Sequence, residues 1–280
     1  MLNVLKKPIH KDVLCKGFIK LIDCMPKEIP QDAYRLKCDS AVVQAARVSY
    51  NQGLKDFETD AKLINYLFKN KHTSPFEMVK FKFHVKAPIF IARQWFRHRM
   101  GNYNEISGRY SILNEEMYIP KKISSQSKIN KQLSNNDNLL EQEESHIPEL
   151  FNLYTHNSCV QYDLYKKLID NGVSREISRI GLPLNMYTEF YFCIDLHNLL
   201  NFIKLRNSNY AQFEIKEYAQ NIENILKNLC PITMGAYENN KTITLSKQQI
   251  SNLKMKENNS YNYSKLNKRE QLELFNFLNN

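Results

Sequence analysis

Val79-Lys80-Phe81-Lys82-Phe83-His84-Val85-Lys86-Ala87 alternates without a break. Val79, Phe81, Phe83, Val85 and Ala87 share one face, and Lys80, Lys82, His84 and Lys86 share the other. That period of two is the signature of a half-buried strand. Pro88 ends the alternation where a helix can begin, so Pro88–Met100 (PIFIARQWFRHRM) is expected to be a helix carrying Phe90, Ile91, Gln94 and Arg93 or Arg97 down its turns. Upstream, Lys16–Asp23 reads as a strand, Ser40–Tyr50 as an amphipathic helix capped by Asp39 or Ser40, and Glu58–Lys69 as a second helix. Downstream, helical periodicity runs over Ile147–Asp170, a short helix follows at Ser174–Ile180, and Thr188–Leu196 has strand character. Asn198–Arg206 and Ala211–Leu229 return to helix. Strands interspersed with longer helices predict an α+β fold with a mixed, largely antiparallel sheet flanked by helices.

The chain has 280 residues, 42% of them hydrophobic, enough for one large domain or two small ones with a real core. One domain is expected over residues 1–240. It is interrupted at about 121–146 by a polar, aromatic-poor insertion that should loop out and be mobile. Residues 241–280 are expected to form a polar, basic, asparagine-rich extension with one terminal helix at Arg269–Leu278. No apolar run approaches the roughly 20 residues needed to cross a bilayer, and the N-terminus is too polar for a signal peptide, so a cytoplasmic protein without a membrane partner is expected. Six cysteines without a C-x-x-C pairing argue against a zinc cluster or a disulfide scaffold, and no metal is expected. Seven glycines form neither G-x-G-x-x-G nor G-x-x-x-x-G-K, which excludes the usual phosphate-cradling loops. Any nucleotide must then be held by side chains, arginine forks above all. The net charge of +10 permits an anionic partner, but a general compositional bias toward lysine and asparagine is the better account of the bulk charge.

Local clustering is more informative. Arg93–Tyr110 holds four arginines, a histidine and the chain's one tryptophan, with no lysine, in a chain where lysine dominates elsewhere. Arginine chosen against that bias points to planar, bidentate contacts with phosphates or ring carbonyls. The competing reading is an ion-pair network, for which only Glu105 lies nearby in sequence.

Arg97-His98-Arg99-Met100-Gly101-Asn102-Tyr103-Asn104-Glu105-Ile106-Ser107-Gly108-Arg109-Tyr110 resembles the R-H-R-x-x-S-x-N-x-x-S-x-R-Y signature of the flavin-dependent thymidylate synthases, with Asn102 in place of serine. His72-Thr73-Ser74-Pro75-Phe76-Glu77 and Ala45-Ala46-Arg47-Val48-Ser49 resemble the family's upstream elements. Arg179 ahead of Leu182-Pro183, and Asn201-Phe202 ahead of Leu205-Arg206, follow in order, so that the likeness spans about residues 16–236.

The resemblance implies a homotetramer with active sites between subunits, binding FAD, dUMP, a reduced folate and NADPH. The implied reaction makes dTMP: NADPH reduces the flavin, methylenetetrahydrofolate donates the methylene group, the reduced flavin supplies the hydride, and tetrahydrofolate leaves. Carried over by position, Ser49, His72, Ser74, Arg97, His98, Arg99, His197, Asn201 and Tyr210 resemble the FAD contacts. Gln94, Glu105, Ser107, Gly108, Arg109, Arg179 and Arg206 resemble the dUMP site. Arg206 resembles the arginine that faces the uracil and is the expected catalytic group, its charge stabilising negative charge on a ring oxygen. No cysteine lies in the arginine cluster, which suits a route without a protein thiolate. Met78, Asp195, His197 and Tyr210 also depart from common family residues, and loss of a permanent cation at His197 is expected to weaken contact with the FAD pyrophosphate or adenosine. Two other readings stand beside this one: a catalytically silent homologue that binds nucleotide or flavin, and a nucleic-acid-binding protein using the same arginines on phosphodiesters. The first reading includes no nucleic-acid partner.

Overall fold

The computed structural model describes residues 2–5, 7–31, 35–128, 130–135, 137–141, 146–241, 246–247 and 249–250, with isolated positions between 266 and 275. In chain order the elements are β1 (Leu2–Asn3), β2 (Ile9–Val13), β3 (Gly17–Met25), β4 (Glu28–Ile29), α1 (Asp39–Arg47), α2 (Phe57–Lys69), α3 (Ser74–Glu77), β5 (Lys80–Pro88), α4 (Ile89–Trp95) and β6 (Asn102–Glu105). They continue with α5 (Ile147–Asp170), α6 (Arg175–Ser178), β7 (Tyr187–Asp195), α7 (Leu196–Arg206), α8 (Phe213–Leu229) and α9 (Pro231–Asn239).

The alternating segment is the centre of the molecule. β5 lies third in a five-stranded sheet of order β2-β3-β5-β7-β6, and every pairing is antiparallel, so the expected mixed sheet is purely antiparallel over the described residues. Phe81, Phe83, Val85 and Ala87 are fully buried, while Lys80 and Lys82 reach solvent. On the buried face, α4, α7 and α8 pack over the strands. Trp95 is fully buried among Phe190, Phe192, Phe202 and Tyr218, at ring distances of 4.8 to 5.7 Å. A second, smaller core of Tyr162, Tyr165 and Met186 lies at the base of α5. No helix among the described residues is long and apolar enough to cross a membrane.

Two local expectations change. The helix expected to reach Met100 stops at Trp95, where the chain turns and the Trp95 carbonyl accepts from His98 N–H and from the Tyr103 hydroxyl. α1 is not capped by Asp39 or Ser40; Cys38 occupies the cap position without a side-chain bond. The fully buried Asp39 instead accepts from the backbone N–H groups of Ile232 and Thr233, binding free donors at the start of α9. The described part of the insertion holds local hydrogen bonds: Ser125 N–H donates to Asp137 at 2.8 Å, Asn135 N–H to the Ser125 carbonyl at 2.8 Å, and Leu139 N–H to the Ile123 carbonyl at 2.7 Å. Ser, Asn and Asp side chains satisfy backbone groups locally, which a composition argument does not see. Most of the expected terminal helix at 269–278 lies outside the described residues.

Candidate functional site

The Arg97–Tyr110 segment is held at both ends. After α4 the chain makes two turns, His98 N–H donating to the Trp95 carbonyl at 3.0 Å and Gly101 N–H to the His98 carbonyl at 3.1 Å. It then enters β6, whose Asn102–Glu105 pair with Cys193–Phe190 of β7. A Cβ on Gly101 would collide with the Phe192 ring, so only glycine lets the turn approach β7 this closely. Tyr103, stacked on Phe192 at 5.1 Å, donates to the carbonyls of His98 and Trp95. The turn bearing Arg97, His98 and Arg99 is thereby tied to the core, with both arginines pointing into solvent and without a hydrogen bond or ion pair among the described residues.

Two groups of predicted residues form around this segment. In the first, Arg206 at the end of α7 donates from Nε to His98 Nε2 at 2.9 Å and from Nη2 to the Gln94 carbonyl at 3.0 Å. The Gln94 side chain donates to Gln212 at 2.6 Å. Burial, and secondarily the charge of Arg206, push the His98 imidazole down to a pKa of about 4. Burial also draws Arg206 below the ordinary arginine value.

The second group lines a cleft of about 610 Å³ between Arg109, Glu176 and Arg179, with apolar walls from Ile89, Leu113, Ile177, Ile180 and Leu182. Its floor is pinned by the smaller core: Tyr165 accepts from Leu113 N–H at 3.0 Å, and Tyr162 donates to the Leu113 carbonyl at 2.9 Å. The Ser107 carbonyl closes the turn by accepting from Tyr110 and Ser111, and its hydroxyl accepts from Arg109 N–H at 3.3 Å. Gly108 is buried against this group, where an added Cβ would sit 3.2 Å from Arg179 Cδ. Arg109 pairs with Glu176 at 3.2 Å, both side chains more than half exposed. Glu105 accepts from the Thr188 hydroxyl at 2.7 Å. No side-chain hydrogen bond or ion pair among the described residues joins this group to Arg206 and Gln94.

The remaining predicted contacts lie on or next to α1, α3 and α7, with α3 packed against the other two. Ser49 follows α1 on an exposed 3₁₀ turn, and the buried Arg47–Asp60 pair at 2.5 Å anchors that turn. Ser74 opens α3; His72, exposed, sets its ring edge against Tyr66 and donates its backbone N–H to the Leu67 carbonyl. His197 and Asn201 are neighbours on α7, 3.5 Å apart. Tyr210 is half-exposed in the loop before α8. Asp195, one of the departures, is the N-cap of α7, accepting from Asn198 N–H at 2.9 Å, a role open to asparagine as well. Sequence reasoning left Glu176, Thr188 and Gln212 out of the site. Glu176 had a signal, standing three residues before Arg179 in the short helix segment, but its partner Arg109 is remote in sequence.

Residues 33–232 match the protein family described as thymidylate synthase complementing protein. The chain is 50% identical over 231 residues to the flavin-dependent thymidylate synthase of Thermus thermophilus, an alignment covering 82% of this chain and 79% of that protein. It is 47% identical over 230 residues to the Ehrlichia ruminantium enzyme of the same name, covering 81% and 72%. Among solved structures it is similar to the UMP/dUMP methylase PolB of Streptomyces cacaoi bound with 5-Br dUMP, with TM-score 0.67 and 28% identity over 82% of this chain and 97% of that one.

Proposed function

The chain belongs to the flavin-dependent thymidylate synthase family, and we propose that it converts dUMP to dTMP with a flavin as redox cofactor, taking its carbon from methylenetetrahydrofolate and its electrons from NADPH. Tetrahydrofolate is the folate product. The observation that carries this reading is that one tethered segment reaches two separate arginine groups, one in an apolar-walled cleft through Arg109 and one on α7 through the His98 contact with Arg206.

In the cleft, Arg109, Arg179 and the Ser107 hydroxyl supply donors for a nucleotide phosphate, and the absence of a side chain at Gly108 leaves room for Arg179 beside the Ser107–Tyr110 turn. Arg206 is assigned to the uracil ring, where a fixed cation stabilises negative charge developing on a carbonyl oxygen. The set expected to hold FAD contains hydroxyl, amide, imidazole and guanidinium groups and no carboxylate. With Arg97 and Arg99 exposed and without protein partners among the described residues, that donor chemistry fits an anionic dinucleotide. A bound flavin supplies the hydride that completes the methyl group. The split between the Arg206 group and the Arg109 group supports a homotetramer in which each site draws the two groups from different subunits.

The test is product analysis. With dUMP, methylenetetrahydrofolate, FAD and NADPH together, dTMP and tetrahydrofolate should form in equal amounts, and omission of any one should stop the reaction. Dihydrofolate accumulating in step with dTMP, or full activity after flavin removal, would overturn the reading. A colourless protein that cannot be reconstituted with FAD would indicate the silent homologue.

A further inference from the structure

Arg206 does not stand free to choose its orientation. Its Nε–H and one Nη2–H form one edge of the planar guanidinium fork. That edge is taken by His98 Nε2 at 2.9 Å and the Gln94 carbonyl at 3.0 Å. The other edge, Nη1 and the second Nη2–H, has no partner among the described residues.

The bracket is itself rigid. The His98 ring stands edge-on to the fully buried Phe202 at 4.7 Å, while the residue's backbone N–H donates to the Trp95 carbonyl and its backbone carbonyl accepts from Tyr103 at 2.9 Å. To accept from an arginine N–H, the imidazole must be neutral and carry its proton on Nδ1. The charged group facing the ring is Arg206 from α7, with Tyr103 of β6 on its carbonyl and the exposed Arg97 and Arg99 beside it in the chain; no carboxylate pairs with it among the described residues. Those surroundings favour the neutral ring.

We propose that His98 is a positioning residue for Arg206: its neutral imidazole, with the Gln94 carbonyl, holds one edge of the guanidinium so that the free edge meets a uracil carbonyl oxygen. The inference rests on the proposed thymidylate synthase reaction and gives His98 a role beyond the flavin contact expected from the signature. A guanidinium fixed beforehand spends no substrate binding on its own ordering, so the benefit belongs to turnover more than to dUMP affinity.

The experiment uses the FAD-loaded protein. His98→Ala should lower kcat at saturating dUMP by about ten- to a hundredfold, the loss typical of a misplaced group in the transition state, with the KM for dUMP changing less than about threefold. His98→Gln, whose side-chain carbonyl can accept from Nε–H, should recover most of that loss. In an Arg206→Lys background, which lacks Nε, adding His98→Ala should cost less than about a further twofold. Nitrogen-15 NMR of the His98 ring should show the Nδ1–H tautomer with Nε2 unprotonated at pH 6, a reading independent of activity and of whether His98→Ala folds. An Nε2–H tautomer, an undiminished kcat in His98→Ala, a loss abolished by excess FAD, or an equal loss in the Arg206→Lys background would each overturn the inference. A wild-type protein that forms no dTMP removes the proposed reaction and this inference together, whereas an active wild type with an unaffected His98→Ala removes the inference alone.

Discussion

Arg206 and Arg109 carry the same charge under different constraints. Arg206 is partly buried and braced on one edge, so replacing it with lysine keeps the cation and loses the fork. Turnover is expected to fall much further than dUMP affinity in Arg206→Lys; unchanged turnover at saturating dUMP would remove Arg206 from the ring. Arg109 is exposed and already paired with Glu176. Arg109→Ala should weaken dUMP by about ten- to a hundredfold, the worth of a charged hydrogen bond of roughly 1.5–3 kcal/mol. A phosphate arriving at Arg109 must compete with Glu176, and exposed pairs are worth about 0.2–1 kcal/mol, so Glu176→Gln should tighten dUMP by up to about fivefold. Calorimetric titration of both variants checks the pair, and weaker binding in Glu176→Gln would mean that the carboxylate helps to orient Arg109 rather than compete for it.

At the level of elements, the link between α1 and α9 has a pH signature. Asp39 is fully buried and, among the described residues, accepts only from Ile232 and Thr233 and pairs with no cation, and burial raises its pKa from 3.8 to about 7 against the lowering effect of those hydrogen bonds. A folded pKa above the unfolded one means that the protonated carboxyl favours the folded state. Its contribution is complete below about pH 4 and lost as pH rises through about 7. At fixed protein concentration, the urea midpoint of the wild type should therefore fall between pH 5 and pH 8 by more than that of Asp39→Asn, which cannot ionise. Equal slopes in the two proteins would show that Asp39 does not titrate in this range.

For the whole molecule, the separation of the two basic groups makes a statement about assembly. Arg206 and Gln94 share one set of contacts, Arg109 and Arg179 line a cleft elsewhere, and nothing among the described side chains bridges them. If each site takes one group from each of two subunits, Arg109→Ala and Arg206→Ala proteins, each nearly inactive alone at limiting dUMP, should recover up to about a quarter of wild-type activity per site after subunit exchange, from random pairing of intact halves. Sedimentation should give a tetramer. No recovery after verified exchange would place both arginines in one subunit's site, and a monomer would end the shared-site proposal.

What the sequence alone determined was whatever its own neighbours encode. The period of two in Val79–Ala87 specifies β5 and its buried face, because side chains alternate across a strand whatever lies beside it. The period of 3.6 specifies α5 over Ile147–Asp170 with the bounds observed. The run of arginines without lysine marks the candidate site, since the choice of fork over point charge is written in the residue type. What only the tertiary structure decided depends on partners far along the chain. Asn102–Glu105 has no strand pattern of its own and becomes β6 because β7 offers an unpaired edge. The helix before it stops at Trp95, where the chain turns and the Trp95 carbonyl accepts from His98 N–H and from the Tyr103 hydroxyl of β6. Asp39 leaves its own helix uncapped to serve one 193 residues away, and Arg206 meets His98 across 108 residues. Such pairings are set by how the core closes, and local periodicity carries no record of them.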